Sequence, residues 1–173
     1  MNEVIKNMKE RRSIRAYKND QIKDAQLDAI LEAGTYAASG MGSQSTVIVP
    51  VQDPETIAVM SGLNAKVMGM DIDPFYGAPT VVVVFADAAE TATPVEDGSL
   101  VIGNMMLAAF SEGVDSCWVH RAKEVFETEE GKALKAKWGI GDSFVGIGNC
   151  ILGYREGDLP PAPERKQGRI GRI

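Results

Sequence analysis

The sequence predicts an α/β or α+β sandwich, a central sheet covered by helices. Three observations carry that expectation. Thr80 to Ala86 (TVVVVFA) is an unbroken apolar run rich in valine, as a strand buried on both faces requires. Segments with helical periodicity alternate with other strand-like runs along the chain. The stretch from Pro94 to Glu112 carries Val95, Leu100, Val101, Met105, Met106, Leu107 and Phe110, apolar around more than one side of a helix. Such a helix needs cover nearly all round, which a dimer supplies better than one small domain.

In chain order, residues 2–10 read as a short helix with Val4, Ile5 and Met8 on one face. Asp24 is the expected N-cap of a second helix carrying Leu27, Ile30, Leu31 and Gly34 on one side. That helix gives way at Ala38-Ser39-Gly40-Met41-Gly42-Ser43, a stretch of small residues without periodicity. Thr46 to Val51 (TVIVPV) reads as a strand that Pro50 assigns to an edge or an end. Asp53-Pro54-Glu55 opens a third helix running through Met60. Residues 64–79, rich in Gly, Met, Asp and Pro, read as a long irregular loop of the kind that is usually functional or mobile. After the long helix come a short strand from Ser116 to Val119 and a charged surface helix from Lys123 to Trp138. A last central strand spans Ser143 to Tyr154. Beyond Gly157 the chain (LPPAPERKQGRIGRI) is too polar and broken to build a core, and should run extended over another surface. No internal repeat interrupts this order.

At 173 residues the chain fits one domain over 1–173, or one protomer of an oligomer with a shared site. A composition 45% hydrophobic and 24% charged is that of an ordinary globular protein. Cys117 and Cys150 lie in apolar stretches without metal-ligand spacing and read as buried free thiols. The first residues contain no apolar core of a secretory signal, and the apolar run at Leu100 to Phe110 is short of a membrane span. A cytoplasmic protein without membrane partners is the expectation.

The net charge of −6 is unevenly distributed. Residues 1–18 hold six basic side chains against two acidic, and residues 164–173 hold four against one. The two ends thus sum to +7 and the remainder to −13. Basic ends on an acidic body point to a shared anionic partner, or to each end meeting a neighbour's body. A nucleic acid is disfavoured as that partner by the acidic body and by the lack of a recognised binding motif.

Several chemistries fall away on residue counts. His120 is the sole histidine, so no multi-histidine metal centre can form. There is no G-x-S-x-G elbow, no Walker A pattern and no G-x-G-x-x-G after a strand. Gly146-Ile147-Gly148 sits inside a strand pattern, where glycines report close packing. Met60, Met68, Met70, Met105 and Met106 read as core filler, and Trp118 and Trp138 as packing residues. Met41 and Phe75-Tyr76 read either as loop anchors or as an apolar roof over a ligand.

What remains is Arg11-Arg12-Ser13-Ile14-Arg15. Three guanidinium groups and a hydroxyl within five residues supply charge-assisted donors suited to a phosphate. A solvated basic turn is the plain alternative. The cluster resembles the R-R-S-x-R opening of the FMN-dependent nitroreductase family. Ala37 to Gln44 is similar to that family's A-P-S-x-x-N-x-Q loop, and Ala78-Pro79-Thr80 to its strand entry. Asp97 leading into Leu100–Ala109 resembles the start of its long dimer helix. Val145 to Tyr154 resembles the last strand with its L-G-Y end, and Arg165-Lys166 the C-terminal basic pair. The likeness runs along essentially the whole chain.

The resemblance implies an α+β three-layer sandwich with a central mixed sheet flanked by helices and an extended tail, residues 154–173, packed on a partner protomer. It implies a homodimer with FMN at the interface, NADH or NADPH as reductant, and a small-molecule acceptor such as a nitroaromatic or quinone. The implied cycle is ping-pong through flavin N5, with no obligatory side-chain acid; a flavin store or sensor without turnover is the alternative. In this reading Arg11, Arg12 and Ser13 bind the phosphate and ribityl chain, and Arg15 reaches the polar edge of the ring. Ser39, Gly40 and Gln44 come from the partner protomer, and Arg165 and Lys166 close over the phosphate. Asn64 is a ring contact, with Lys66 a weaker one, and His120 and Arg121 lie along the flavin. For His120 a capped surface position remains the alternative to an acid. Ala38, Gly42 and Ser45 depart from the family's proline, asparagine and proline, which loosens the loop.

Overall fold

The computed structural model describes residues 1–173. Helices α1 (Glu3–Glu10) and α2 (Asp24–Thr35) precede a 3₁₀ turn at Gly40–Gly42 and strand β1 (Thr46–Val51). Helix α3 (Pro54–Met68), strand β2 (Thr80–Asp87) and the long helix α4 (Pro94–Ser111) follow. Strand β3 (Asp115–Val119), helices α5 (Ala122–Glu127) and α6 (Glu129–Lys137), and strand β4 (Phe144–Gly153) complete the order.

The strands form one sheet in the order β1-β2-β4-β3. All three pairings are antiparallel, with Val83 opposite Val49 on one side and Asn149 on the other. The mixed sheet expected above is therefore an antiparallel one. Its single parallel pairing is an isolated bridge between Ser13 and Ser116. Strand direction depends on how the connections run, and residue pattern alone does not carry it.

β2 is buried along its whole length, and its alternation divides the core in two. Val81, Val83 and Phe85 pack with Met60 and Leu63 of α3 and Val125 and Phe126 of α5. Val82, Val84 and Ala86 pack with Leu27 and Ile30 of α2 and Val101, Ile102 and Met105 of α4. Helices on both faces of a sheet make the three-layer sandwich. Cys117 and Cys150 are free and fall on opposite faces, one in each core.

Three local expectations change. α3 runs on to Met68 rather than stopping at Met60, because Leu63, Asn64 and Ala65 are buried and Gly69 closes the helix in the left-handed conformation. α2 starts at Asp24 with Lys23 in the cap position. The charged surface helix is two helices: Thr128 caps α6 by accepting from the Gly131 N–H, and Gly131 sits so close to the Val125 carbonyl that no Cβ fits. Pro50 lies on the edge strand, where its missing N–H costs no ladder bond. After Gly153 the chain forms no further strand or helix, and residues 160–173 are exposed. No helix is long and apolar enough to cross a membrane.

Candidate functional site

α1 ends at Arg11, where the backbone turns extended. Arg12 shapes that turn: its Nη1 donates to the carbonyls of Lys9 (2.8 Å) and Arg11 (2.7 Å). The chain then meets the open edge of β3, where the Ile14 N–H donates to the Ser116 carbonyl at 3.1 Å. It crosses under the end of the sheet, with Lys18 N–H on the Tyr154 carbonyl and Glu156 N–H on the Ala16 carbonyl. Ile14 and Tyr17 are buried anchors, and the Tyr17 hydroxyl donates to the Ile14 carbonyl at 2.9 Å. Burial, with the neighbouring Cys117, Cys150 and Asp115, keeps that phenol protonated well above its ordinary range. The ion pair of Arg155, whose Nη1 reaches both oxygens of the buried Asp115 at 3.0 and 3.2 Å, fastens the start of the tail to the same corner.

Within this corner two buried donors have no acceptor: Nη1 of Arg11 and Nε of Arg12. The hydroxyl of Ser116, the β3 residue that bridges to Ser13, is also unpartnered. Unpaired guanidinium N–H groups are costly in a native structure unless an acceptor joins them. The donor set here suits the oxygens of a phosphate. Burial and the neighbouring Cys117 push the Cys150 thiol up to about 12, and the Arg11 charge acts in the opposite direction.

Along β3 from Ser116 to His120 the chain advances roughly 13 Å. The far end is held by two buried carboxamides. Asn64 of α3 donates from Nδ2 to the His120 carbonyl at 2.9 Å, and Asn149 of β4 from Nδ2 to the Val119 carbonyl at 3.3 Å. Arg121 follows with a left-handed backbone, φ +75°, and opens α5. His120 is exposed, Arg121 half-buried, and the Asn64 Oδ1 has no donor. Asn64 thus sits inside the protein, committed on one side to the turn that presents His120. Lys66 is exposed on α3.

Ser39, Gly40 and Gln44 lie elsewhere. The Gly40 N–H donates to Oδ1 of Asp97 at 2.9 Å, and the Gln44 N–H to Oγ of Ser39 at 3.0 Å. Met41 and Gln44 both have positive φ, +53° and +50°, a strained state for residues with side chains. A cleft of about 390 Å³ lies beside the loop, lined by Ser39, Gln44, Ala37, Ile48, Asp97 and Val101. Asp97 belongs to the first turn of α4, whereas the arginine corner is tied to its other end by Asn7 Nδ2 on the Leu107 carbonyl. Ten residues of helix separate those two anchors, about 15 Å.

One protomer therefore brings Arg11, Arg12 and Ser13 together at one end of α4, and Ser39, Gly40 and Gln44 at the other. Arg15 is exposed beside the first group, and Arg165 and Lys166 are exposed in the tail. The largest cleft, about 670 Å³ between α3 and the residues before β2, contains none of these side chains.

The pattern of the Nitroreductase family matches residues 8–154. The chain belongs to this family. A provisionally named NADH dehydrogenase/NAD(P)H nitroreductase of Archaeoglobus fulgidus is 33% identical over 159 residues, covering 89% of this chain and 86% of that one. An FMN reductase [NAD(P)H] of Bacillus subtilis is 34% identical over 97 residues, 56% of this chain and 37% of its own. The crystal structure of a Bacteroides fragilis nitroreductase with bound FMN superposes with a TM-score of 0.91 at 31% identity, over the full length of both chains. A Desulfitobacterium hafniense nitroreductase, also with bound FMN, gives 0.89 at 26% identity, over 100% of this chain and 99% of that one.

This member of the family contains site features that its sequence did not disclose. Asp97 stands out only as the start of a helix, and its contact with Gly40 joins residues 57 apart. The Asp115–Arg155 pair and Asn149 are likewise long-range contacts, 40 and 30 residues apart, with no local signature.

Proposed function

We propose that the protein is an FMN-dependent oxidoreductase working as a homodimer, with NADH or NADPH as reductant and a nitroaromatic, quinone or similar small molecule as acceptor. The observation that carries this reading is the division of the site between the two ends of α4. Neither group alone surrounds a cofactor, and a second copy can set its Ser39–Gln44 loop against the first copy's arginine corner. The exposed apolar residues Val4, Ile5 and Met8 of α1 and Val95 and Leu100 of α4 offer the surface that such a copy would cover.

Bound FMN would supply the hydride chemistry, accepting from the nicotinamide and delivering to the acceptor in turn. The protein's own residues bind and orient it. The free Nη1 of Arg11, with Ser13, takes the phosphate; Arg12 contributes Nε while its Nη1 keeps the turn in shape. Arg15 lies beside them, towards the polar edge of the ring. Arg165 and Lys166, in an exposed tail anchored at Arg155, close over the phosphate as the tail packs on the partner. Asn64 and Asn149 hold the turn that sets His120 and Arg121 along the flavin. The charges of Arg15 and Arg121 would stabilise negative charge on a flavin bound there, as donors favour any developing negative charge. The free buried thiols suit a reducing compartment such as the cytoplasm.

Purified protein should take up FMN and then oxidise NADH or NADPH in the presence of a quinone, with the parallel-line kinetics of a ping-pong cycle. Protein that never takes up FMN contradicts the proposal. Protein that binds FMN without nicotinamide turnover replaces it with a flavin store or sensor.

A further inference from the structure

Asp97 is 3% exposed and has no basic partner within ion-pair distance. Its Oδ1 accepts from the Gly40 N–H (2.9 Å) and the Thr93 hydroxyl (3.1 Å), and its Oδ2 from the Thr91 hydroxyl (2.9 Å). A buried carboxylate is costly unless donors compensate it, and these three do so, close to the positive end of α4. Thr93 holds the cap position of α4 without a side-chain cap bond and gives its hydroxyl to Asp97 instead, so the carboxylate ties the start of the helix to a loop 57 residues away.

What the carboxylate holds is the Ser39–Gln44 loop. Glycine at Gly40 leaves room for this arrangement, because a Cβ there would lie 2.4 Å from the Thr93 hydroxyl and displace it from Asp97. The remaining loop bonds are internal: Gly42 N–H to the Ser39 carbonyl, Ser43 N–H to the Gly40 carbonyl, and Gln44 N–H to Ser39 Oγ. Met41 and Gln44 carry side chains at positive φ, so the loop is strained at two positions and needs an outside tether.

We propose that Asp97 is a positioning residue acting in trans: through Gly40 it fixes the loop that completes the flavin site of the partner protomer. This rests on the shared-site reading above. Asp97→Asn keeps the size of the side chain but leaves one oxygen to serve donors that now reach two. FMN affinity should fall about tenfold, the scale of a lost bond to a charged group, while the dimer persists. Thr93→Val, which removes one donor without touching the carboxylate, should give a smaller loss in the same direction.

Protomer mixing reads out the trans action. Asp97→Asn mixed with Arg11→Ala should restore tight FMN binding at about a quarter of all sites, since half of randomly exchanged dimers are mixed and each holds one intact site. Asp97→Asn mixed with Gln44→Ala should restore none, because both lesions lie in the same half-site. Unchanged FMN affinity in both Asp97→Asn and Thr93→Val overturns the proposal. So does a loss that Arg11→Ala protomers fail to rescue while Arg11→Ala and Gln44→Ala rescue each other. If that last pair also fails, the shared site itself is wrong, and the trans role falls with it.

Discussion

The arginine corner and the Ser39–Gln44 loop are held in opposite ways. The corner is fixed by backbone bonds to β3 and the start of the tail, and by buried Ile14 and Tyr17, so its Arg11 and Arg12 donors are left partly unpaired. The loop has no buried apolar anchor of its own between Ala38 and Gln44; a carboxylate and two threonines hold it, and two of its non-glycine residues are strained. The corner can thus lose the Arg11 side chain and keep its shape, whereas the loop's shape rests on the Asp97 carboxylate 57 residues away. Substitutions in the corner should change affinity, and substitutions around the loop should change affinity and geometry together.

Arg11→Ala should produce the largest effect. Removal of a charge-assisted phosphate contact should weaken FMN binding by about ten- to a hundredfold, seen by flavin fluorescence titration, with the melting temperature of the apo form preserved. Unaltered affinity would remove the corner from the site. Arg155→Met removes the only cation beside the Asp115 carboxylate, which is almost completely buried and keeps just the Arg155 backbone N–H, although the Arg155 side chain itself is more than a third exposed. Allowing for that solvent screening, the cost should be about 2 kcal/mol, read by denaturant unfolding. A neutral result would mean that the tail is fastened by its backbone bonds alone.

Gln44→Gly separates shape from contact. The φ of +50° costs a side-chain-bearing residue about 1 kcal/mol. Glycine there should raise the stability of the apo protein slightly while weakening FMN binding several-fold. A gain in both would mean that the Gln44 side chain does not touch the cofactor. The smallest effect is on acid stability. Asp97 is held below its ordinary pKa of 3.8, first by the Gly40 N–H and then by the two threonines, against the opposing effect of burial. A depressed folded-state pKa contributes stability that is present above 3.8 and lost as pH falls through the folded value. Asp97→Asn should therefore show a shallower loss of stability below that pH than the parent protein, by acid unfolding.

The two regions also differ in how far the sequence reveals them. Arg11 to Arg15 is contiguous, so its donor chemistry is visible in five residues, and the buried β2 run is equally plain. The loop could be recognised as irregular, but its anchor lies 57 residues away and has no local pattern. Asn64 falls in helix α3 and not in the expected loop for a related reason: Gly62 and Asn64 interrupt the helical pattern, and tertiary burial of Leu63 and Ala65 overrides them. The split between α5 and α6 depends on the Gly131–Val125 contact, and the antiparallel sheet on connection geometry. Each of these is a fact of packing. The arginine cluster was a property of the chain, and only the fold shows that its turn is built by Arg12 while Arg11 is left free to bind.

The most direct test of the account mixes Arg11→Ala with Gln44→Ala protomers, each of which should bind FMN poorly alone. After subunit exchange, tight binding should return at about a quarter of the sites. No return of tight binding, with exchange verified, would show that each protomer builds its site alone.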